Sequence, residues 1–255
     1  MGTPAFTAIA GFADGYYEGP AGTLAGRAQG FSTAAVCFPF TVPGVPQTVC
    51  ANSDDATQGW LLRITGTMEV EVVLYHTAGS ISVTHNISAA GFGRFLQPAL
   101  TFDGTTLTLV INGSAVGTAA IPGGEAYVPS ALGPTFGTLT GGAEPMLNTA
   151  FAGMGYTSQA LNPVQDLQLL WLGSLASRDM VDAELGGLYP PTSVPTFEHL
   201  YSARRRNSGF GTPVLPGAPG PVAAQTWPDD RGTGGAVDFT LQNGPLFVVC
   251  GRDLI

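Results

Sequence analysis

The sequence predicts an all-β protein: an antiparallel β-sandwich with one short helix and a partly irregular C-terminal extension. Three observations carry this. Apolar and polar residues alternate in short runs, the two-residue period of a half-buried strand. Those runs are separated by Gly, Pro, Asn and Asp at roughly the 8–12-residue spacing of a sandwich or jelly roll. The 255 residues include 36 Gly and 20 Pro, which demand many turns but follow no collagen-like period.

Strands are predicted at 34–41, 48–52, 60–66, 68–76, 80–87, 95–102, 105–111, 115–121 and 166–172. The stretch 102–121, FDGTTLTLVINGSAVGTAAI, is the clearest. Asp103-Gly104 and Asn112-Gly113 are turn signals, and the alternation between them puts Leu107, Leu109 and Ile111 on one face, read as core. Thr106, Thr108 and Val110 lie on the other face. The Gly-rich stretch 128–155 shows weak patterning, with one strand expected near 134–139. In SLASRDMVDAELGGLY, Ser177 suits an N-cap, Asp179 falls in the first turn and Gly186 or Gly187 supplies the stop, so a short helix is expected over 178–185. The texture changes after Tyr189. A boundary near 190 separates a sandwich domain, 1–190, from an extension, 191–255, which ends in two strands around an Asn-Gly turn in AVDFTLQNGPLFVVC. The extension packs either on its own domain or on a neighbouring subunit.

The formal net charge is −9, and all nine basic residues are Arg. Nucleic acid is excluded as a partner, because phosphate binding needs an excess of cationic side chains. The start, MGTPAFTAIAGFADG, has no positive n-region or sustained apolar core, so no secretory signal is expected. No apolar run approaches the roughly 18–20 residues of a membrane-spanning helix. Of the three Cys, Cys250 stands alone near the C-terminus. If Pro43-Gly44 centres a turn, Cys37 and Cys50 face each other across a hairpin, either as a cross-strand disulfide or as two half-buried thiols. No CxxC pair exists to hold a metal.

FLQPALTFDGTTLTLVINGSAVGTAAI resembles the signature of laminin-G-like, concanavalin A-like jelly-roll domains. The matching residues are Ala99, Thr101, Phe102, Asp103, Gly104, Leu107, Leu109, Asn112, Gly113, Val116 and Gly117. LQLLWLGSLASRDMVDAELGGLY is similar to the closing strand and helix of the family, through Trp171, Leu175, Glu184, Leu185, Leu188 and Tyr189; Leu and Gly replace its usual charged positions. GFADGYYEGP resembles the family's opening, so the matches span about residues 10–190. The segment TWPDDRGTGGAVDFTLQNGPLFVV looks like the beginning of a further domain of this kind, without a closing half.

The resemblance implies a calcium ion at the rim, with Asp54, Asp55 and Asp103 as its ligands; the plain alternative is that these Asp residues form turns. Glycoside hydrolases of the same superfamily carry clustered carboxylates on one strand. MEVEVVL places Glu69 and Glu71 on one face but has Val73 and Leu74 where a third carboxylate belongs, so both Glu read as solvent-facing residues of an amphipathic strand. His76 and His85 approach each other across a hairpin without a third ligand. Trp60, Trp171 and Trp227 compete between sugar platform and core; Trp171 reads as core, and Tyr127 is a further aromatic. Tyr16, Tyr17 and Tyr156 lie among glycines and are the expected glycan contacts. Arg204, Arg205 and Arg206 form the basic cluster expected to meet a partner subunit.

The expected function is binding and assembly without catalysis. By analogy with proteins of this resemblance, the chain is expected to be a subunit of a larger particle, such as a phage-type virion decoration, fibre or spike component, that binds cell-surface glycan. It is expected to form a homo-oligomer and to be assembled in the host cytoplasm for the particle surface. The first alternative is a secreted or surface lectin; the second is a divergent glycoside hydrolase. No cofactor beyond calcium is expected.

Overall fold

The computed structural model describes residues 9–10, 16–39, 43–88, 96–146, 149–161, 199–202, 226–227 and 237–242. Two antiparallel sheets pack face to face. The first has the order β1 (Ile9–Ala10), β12 (Thr149–Thr157), β3 (Phe31–Pro39), β8 (Pro98–Phe102), β9 (Thr106–Ile111) and β10 (Ser114–Ala120), and β13 (His199–Ser202) also pairs with β12. The second runs β14 (Thr226–Trp227), β15 (Phe239–Gln242), β2 (Tyr16–Glu18), β11 (Thr135–Phe136), β4 (Gln47–Ser53), β5 (Gly59–Ile64), β6 (Glu69–His76) and β7 (Gly79–Asn86). The strands predicted between 34 and 121 correspond to β3–β10. The predicted strand 166–172 and the helix 178–185 lie outside the described residues.

Alternation does the sorting. In β6 it turns Val70, Val72 and Leu74 inward and Glu69 and Glu71 outward. Leu107 and Leu109 of β9 are fully buried in the same core. Val110, expected on the outer face, is there but not exposed: it forms a small cluster with Ala34, Ala99 and Leu161. Each fully buried aliphatic side chain of this kind stabilises by roughly 1.5–3 kcal/mol. Aromatic rings fill one end of the core, with Phe31 lying 5.5–6.2 Å from Trp60, Phe102, Tyr127 and Tyr156. At the bulge in β10, a Cβ on Gly117 would lie 2.6 Å from Val83, so the absent side chain lets β10 close against β7 of the other sheet.

Two expectations are corrected. Cys37 and Cys50 do not sit across a hairpin: β3 and β4 belong to different sheets, so the chain between them passes from one sheet to the other. Both thiols are free and fully buried. The stretch 128–155 also holds more structure than its weak pattern suggested, because β12 is a nine-residue interior strand paired with β3 along its whole length. The described strands of 191–255 pair with this same chain, β13 with β12 and β15 with β2. No helix among the described residues is long and apolar enough to cross a membrane.

Candidate functional site

The outward face of the eight-stranded sheet presents residues in cross-strand rows. One row runs Thr48–Arg63–Glu71–Thr84 across β4 to β7. The next runs Ala51–Leu61–Val73–Ser82, and Glu69 pairs with Asn86 on the far side of the Arg63 row. Leu139 packs on Ala51, Leu61, Val73 and Tyr75, so the turn 137–146 covers the apolar middle of this face. The polar column of β7 stays open: Ser80, Ser82, Thr84 and Asn86 are all exposed. Ser82 and Thr84 make no side-chain hydrogen bond among the described residues, while the Asn86 side-chain oxygen accepts from the N–H and hydroxyl of Ser88.

Beside the open column stands a charged network. Arg63 donates through Nε to Glu71 at 2.6 Å and through Nη1 to Glu144 at 2.9 Å, with Asp55 3.5 Å from Nη1. Thr48 donates its hydroxyl to the other Glu144 oxygen at 2.7 Å, and Tyr75 donates to Asp55 at 2.8 Å. Asp55 and Glu144 both adopt left-handed backbone, at φ 54° and 53°. Non-glycine residues rarely occupy this region. These two hold it with their carboxylates on one guanidinium. Burial lowers the Arg63 pKa, but the bond to Glu71 and the charges of Glu71, Glu144 and Asp55 outweigh it, and the net shift is upward. Burial raises Tyr75, and the carboxylate of Asp55 pushes it up further. Among the described residues, three carboxyl groups thus share one guanidinium.

The rim next to this face is closed from within. The loop between β2 and β3 turns three successive carbonyls inward. Thr23 accepts from Asn52 Nδ2 at 2.5 Å, Leu24 from Trp60 Nε1 at 3.0 Å, and Ala25 from the Tyr127 hydroxyl. The Gly26 N–H donates to the Tyr156 hydroxyl at 3.1 Å. Trp60 is therefore a core residue, and the expectation of exposed tyrosines is corrected. Tyr17 and Tyr156 are 4% exposed, so their faces cannot stack on a sugar. Burial is the cause that pushes the Tyr17 and Tyr127 hydroxyls well above the usual range. Of the three candidate tyrosines, Tyr16 alone is half-buried, in β2.

The residues expected to hold calcium do not fit it as a set. Asp54 lies in the β4–β5 turn and Asp103 in the β8–β9 turn of the other sheet. Asp54 accepts from the N–H groups of Ala56, Thr57 and Gln58 and from the Thr57 hydroxyl. Burial raises its pKa, but these bonds prevail and hold the carboxyl well below the usual range. Asp103 likewise accepts from Thr105 and Thr106, and its pKa is lowered in the same way. Asp55 faces Arg63 and Tyr75. No group of three metal-ligating residues occurs among the described residues.

Glu69 and Glu71 share the outward face, as read from alternation, but their surroundings differ. Glu71 is bound to Arg63, whereas Glu69 accepts from the Thr67 hydroxyl and has no cationic partner among the described residues. His76 and His85 are not a pair. His76 caps the β6–β7 hairpin 4.0 Å from Glu125, and His85 lies opposite Val70 at the other end of β7. Arg204, Arg205 and Arg206, and Trp171, lie outside the described residues. Arg63 itself escaped the sequence reading, although a signal existed. A hairpin turning at Thr65–Thr67 places the one cation of WLLRI opposite Glu71. Nothing in the Gly-rich stretch signalled Glu144.

No family model matches the chain, and no curated protein matches it in sequence. Solved structures do resemble it. A candidate carbohydrate binding protein from Bacteroides ovatus shares 16% identity at a TM-score of 0.59, over 98% of this chain and 61% of that one. The CBM40 of the Ruminococcus gnavus IT-sialidase, bound to α2,3 sialyllactose, has 12% identity and a TM-score of 0.48, covering 63% of this chain and 95% of that one. The binding domain of botulinum neurotoxin serotype D has 13% identity and a TM-score of 0.49, covering 61% and 39%. The chain thus spans less than two thirds of the Bacteroides and botulinum structures. The Bacteroides likeness, over nearly all of this chain, is one of fold: a β-sandwich.

Proposed function

We propose that this chain is a non-catalytic carbohydrate-binding module that receives its ligand on the outward face of β6 and β7. The observation that carries this is the open polar column of Ser82, Thr84 and Asn86 beside Glu69 and Glu71, fixed on a rigid sheet. Sugar hydroxyls are both donors and acceptors. Carboxylates accept from them, hydroxyl groups do both, and an amide side chain adds a donor. A sheet fixes such groups before the ligand arrives, which lowers the entropic cost of binding.

Catalysis fits this face poorly. Retaining hydrolysis needs two carboxyl groups about 5–5.5 Å apart, one nucleophile and one proton donor. Glu71 is occupied by Arg63, and Val73 takes the next outward position, where a further carboxyl would stand. The Bacteroides fold neighbour, described as a candidate carbohydrate binding protein, agrees in kind with a binding role. The particle-subunit reading gains no support from the fold neighbours.

A glycan array with the whole chain, followed by calorimetry on the hits, tests the proposal. Thr84→Ala with Asn86→Ala should weaken binding about tenfold or more while the thermal midpoint holds. Binding that ignores this pair of substitutions, or an array with no hit, overturns the proposal.

A further inference from the structure

We infer that β7 is the edge along which a second copy of this chain pairs, antiparallel about a two-fold axis at Val83, so that two eight-stranded sheets become one. Among the described residues, the ends of the two sheets are unlike one another. β14 is two residues long, and beyond β12 stand β1 and β13, of two and four residues. β10 carries a bulge between Ala115 and Gly117. Shortness and bulges are devices by which a sheet edge avoids pairing. β7 has neither. Its eight residues, GSISVTHN, pair with β6 without a register shift and include no Pro, Lys, Arg, Asp or Glu. The Ile87 N–H donates to the Met68 carbonyl at 2.9 Å, which sets the alternation of the β6–β7 ladder. Ile81, Val83 and His85 turn their N–H and C=O groups to β6, and those of Ser80, Ser82, Thr84 and Asn86 point away from it. β7 pairs with no other strand among the described residues.

The edge suits a copy of itself in three respects. About Val83, Ser80 falls opposite the second copy's Asn86 and Ser82 opposite its Thr84, so the free N–H and C=O groups of all four residues find partners. The side chains that meet there are short and neutral. Charge favours the same place. A net charge of −9 opposes self-association over most of the surface, but β7 and the neighbouring edge strand β10 hold no Asp, Glu, Lys or Arg. Apolar cover is the third. Ile81 of β7 and Val116 and Ala119 of β10 are only partly buried against the core, and a second sandwich at this side covers them further. The polar columns of the two copies then stand side by side, about 4.8 Å apart, and a glycan crossing the seam meets both. That consequence rests on the carbohydrate-binding reading; the pairing does not.

The test uses the full chain without sugar, so its outcome is independent of the glycan array. Sedimentation equilibrium across a micromolar dilution series should show a monomer–dimer equilibrium. Hydrogen exchange at Ser82 and Thr84 should slow in the dimer and quicken on dilution. Ser82→Glu sets two like charges diagonally across the seam and should weaken the dimer about tenfold or more. Adding Thr84→Lys places opposite charges directly across it and should recover most of that loss, which also shows that the variant folds. A monomer at every concentration overturns the inference. Exchange at Ser82 and Thr84 that is slow and independent of concentration marks an edge covered by its own chain and overturns it as well. A dimer indifferent to Ser82→Glu lies on another face, with the same consequence. A dimer lost in Ser82→Glu and not recovered with Thr84→Lys overturns the register about Val83.

Discussion

Replacing Arg63 by Met removes the charge at the centre of the outer-face network and keeps a side chain of similar length. Arg63 is 19% exposed, and its partners Glu71, Glu144 and Asp55 are 15%, 19% and 29% exposed. An exposed ion pair contributes about 0–1 kcal/mol, and breaking a fully buried one costs about 3–5 kcal/mol. This half-buried network falls between, so Arg63→Met should cost about 2 kcal/mol. With a urea slope of about 2–3 kcal/mol/M, the midpoint falls by roughly 0.7–1 M. Most of the loss comes from carboxylates left facing one another, so adding Glu71→Gln and Glu144→Gln should restore more than half of it. The backbone should respond as well. Asp55 and Glu144 occupy left-handed conformations, which cost of order 1 kcal/mol or more each. Without the guanidinium, hydrogen exchange should quicken in residues 54–58 and 137–146 ahead of the rest. A loss below about 0.5 kcal/mol, or a triple variant no more stable than the single one, would refute the view that Arg63 is a strut.

Three further outcomes follow from the rim and the core. Trp60→Phe should cost about 1–3 kcal/mol, because the Leu24 carbonyl loses its buried donor, and exchange should quicken in the β2–β3 loop; equal stability by urea unfolding would show that the indole bond does not hold it. Burial pushes the Cys37 thiol up to about 12 and raises Cys50 too, so a disulfide reagent should spare both in the native protein and label both after unfolding, as read by peptide mapping; prompt native labelling would contradict their burial. The carboxyl pKa values of Asp54 and Asp103 are depressed in the folded state, so their contribution to stability is present above the unfolded value of about 3.9 and is lost as pH falls through it toward the folded value. Asp54→Asn should flatten the acid limb of a stability–pH curve measured by urea midpoints, and an unchanged limb would count against the turn bonds as its source.

The middle of the chain is legible because its strands are short, β6, β7 and β9 alternate in burial, and the β4–β5, β8–β9 and β9–β10 connections are turns with their own chemistry. Asn112, at φ 50°, and Gly113 make the β9–β10 turn that their dipeptide announces. β12 is illegible for the opposite reason. Its sequence, TAFAGMGYT, carries β-branched residues only at its two ends, and it is held by long-range pairing with β3, which a local pattern does not record. The tyrosines were misplaced by their neighbours. Glycines beside Tyr17 and Tyr156 suggest exposed loops, yet these rings are buried in the sandwich core. The Cys37–Cys50 hairpin failed because a Pro-Gly turn signal says that the chain bends, not whether it returns to the same sheet.

The rim and the face differ in what becomes of their polar groups, and this decides where a ligand is best sought. At the rim, the carbonyls of Thr23, Leu24 and Ala25 receive side-chain donors from the core, and the carboxylates of Asp54 and Asp103 close their own turns. Each of these groups already has a partner, so a ligand there would have to displace an existing bond, and the gain would be small. On the β7 column the accounting runs the other way. The hydroxyls of Ser82 and Thr84 are exposed and make no hydrogen bond among the described residues, while their backbone is fixed by pairing with β6. Groups that are rigid but solvated can exchange water for sugar hydroxyls at little ordering cost. The rim loops and the Asp103 turn thus close the sandwich, and the ligand face proposed above is the sheet between them.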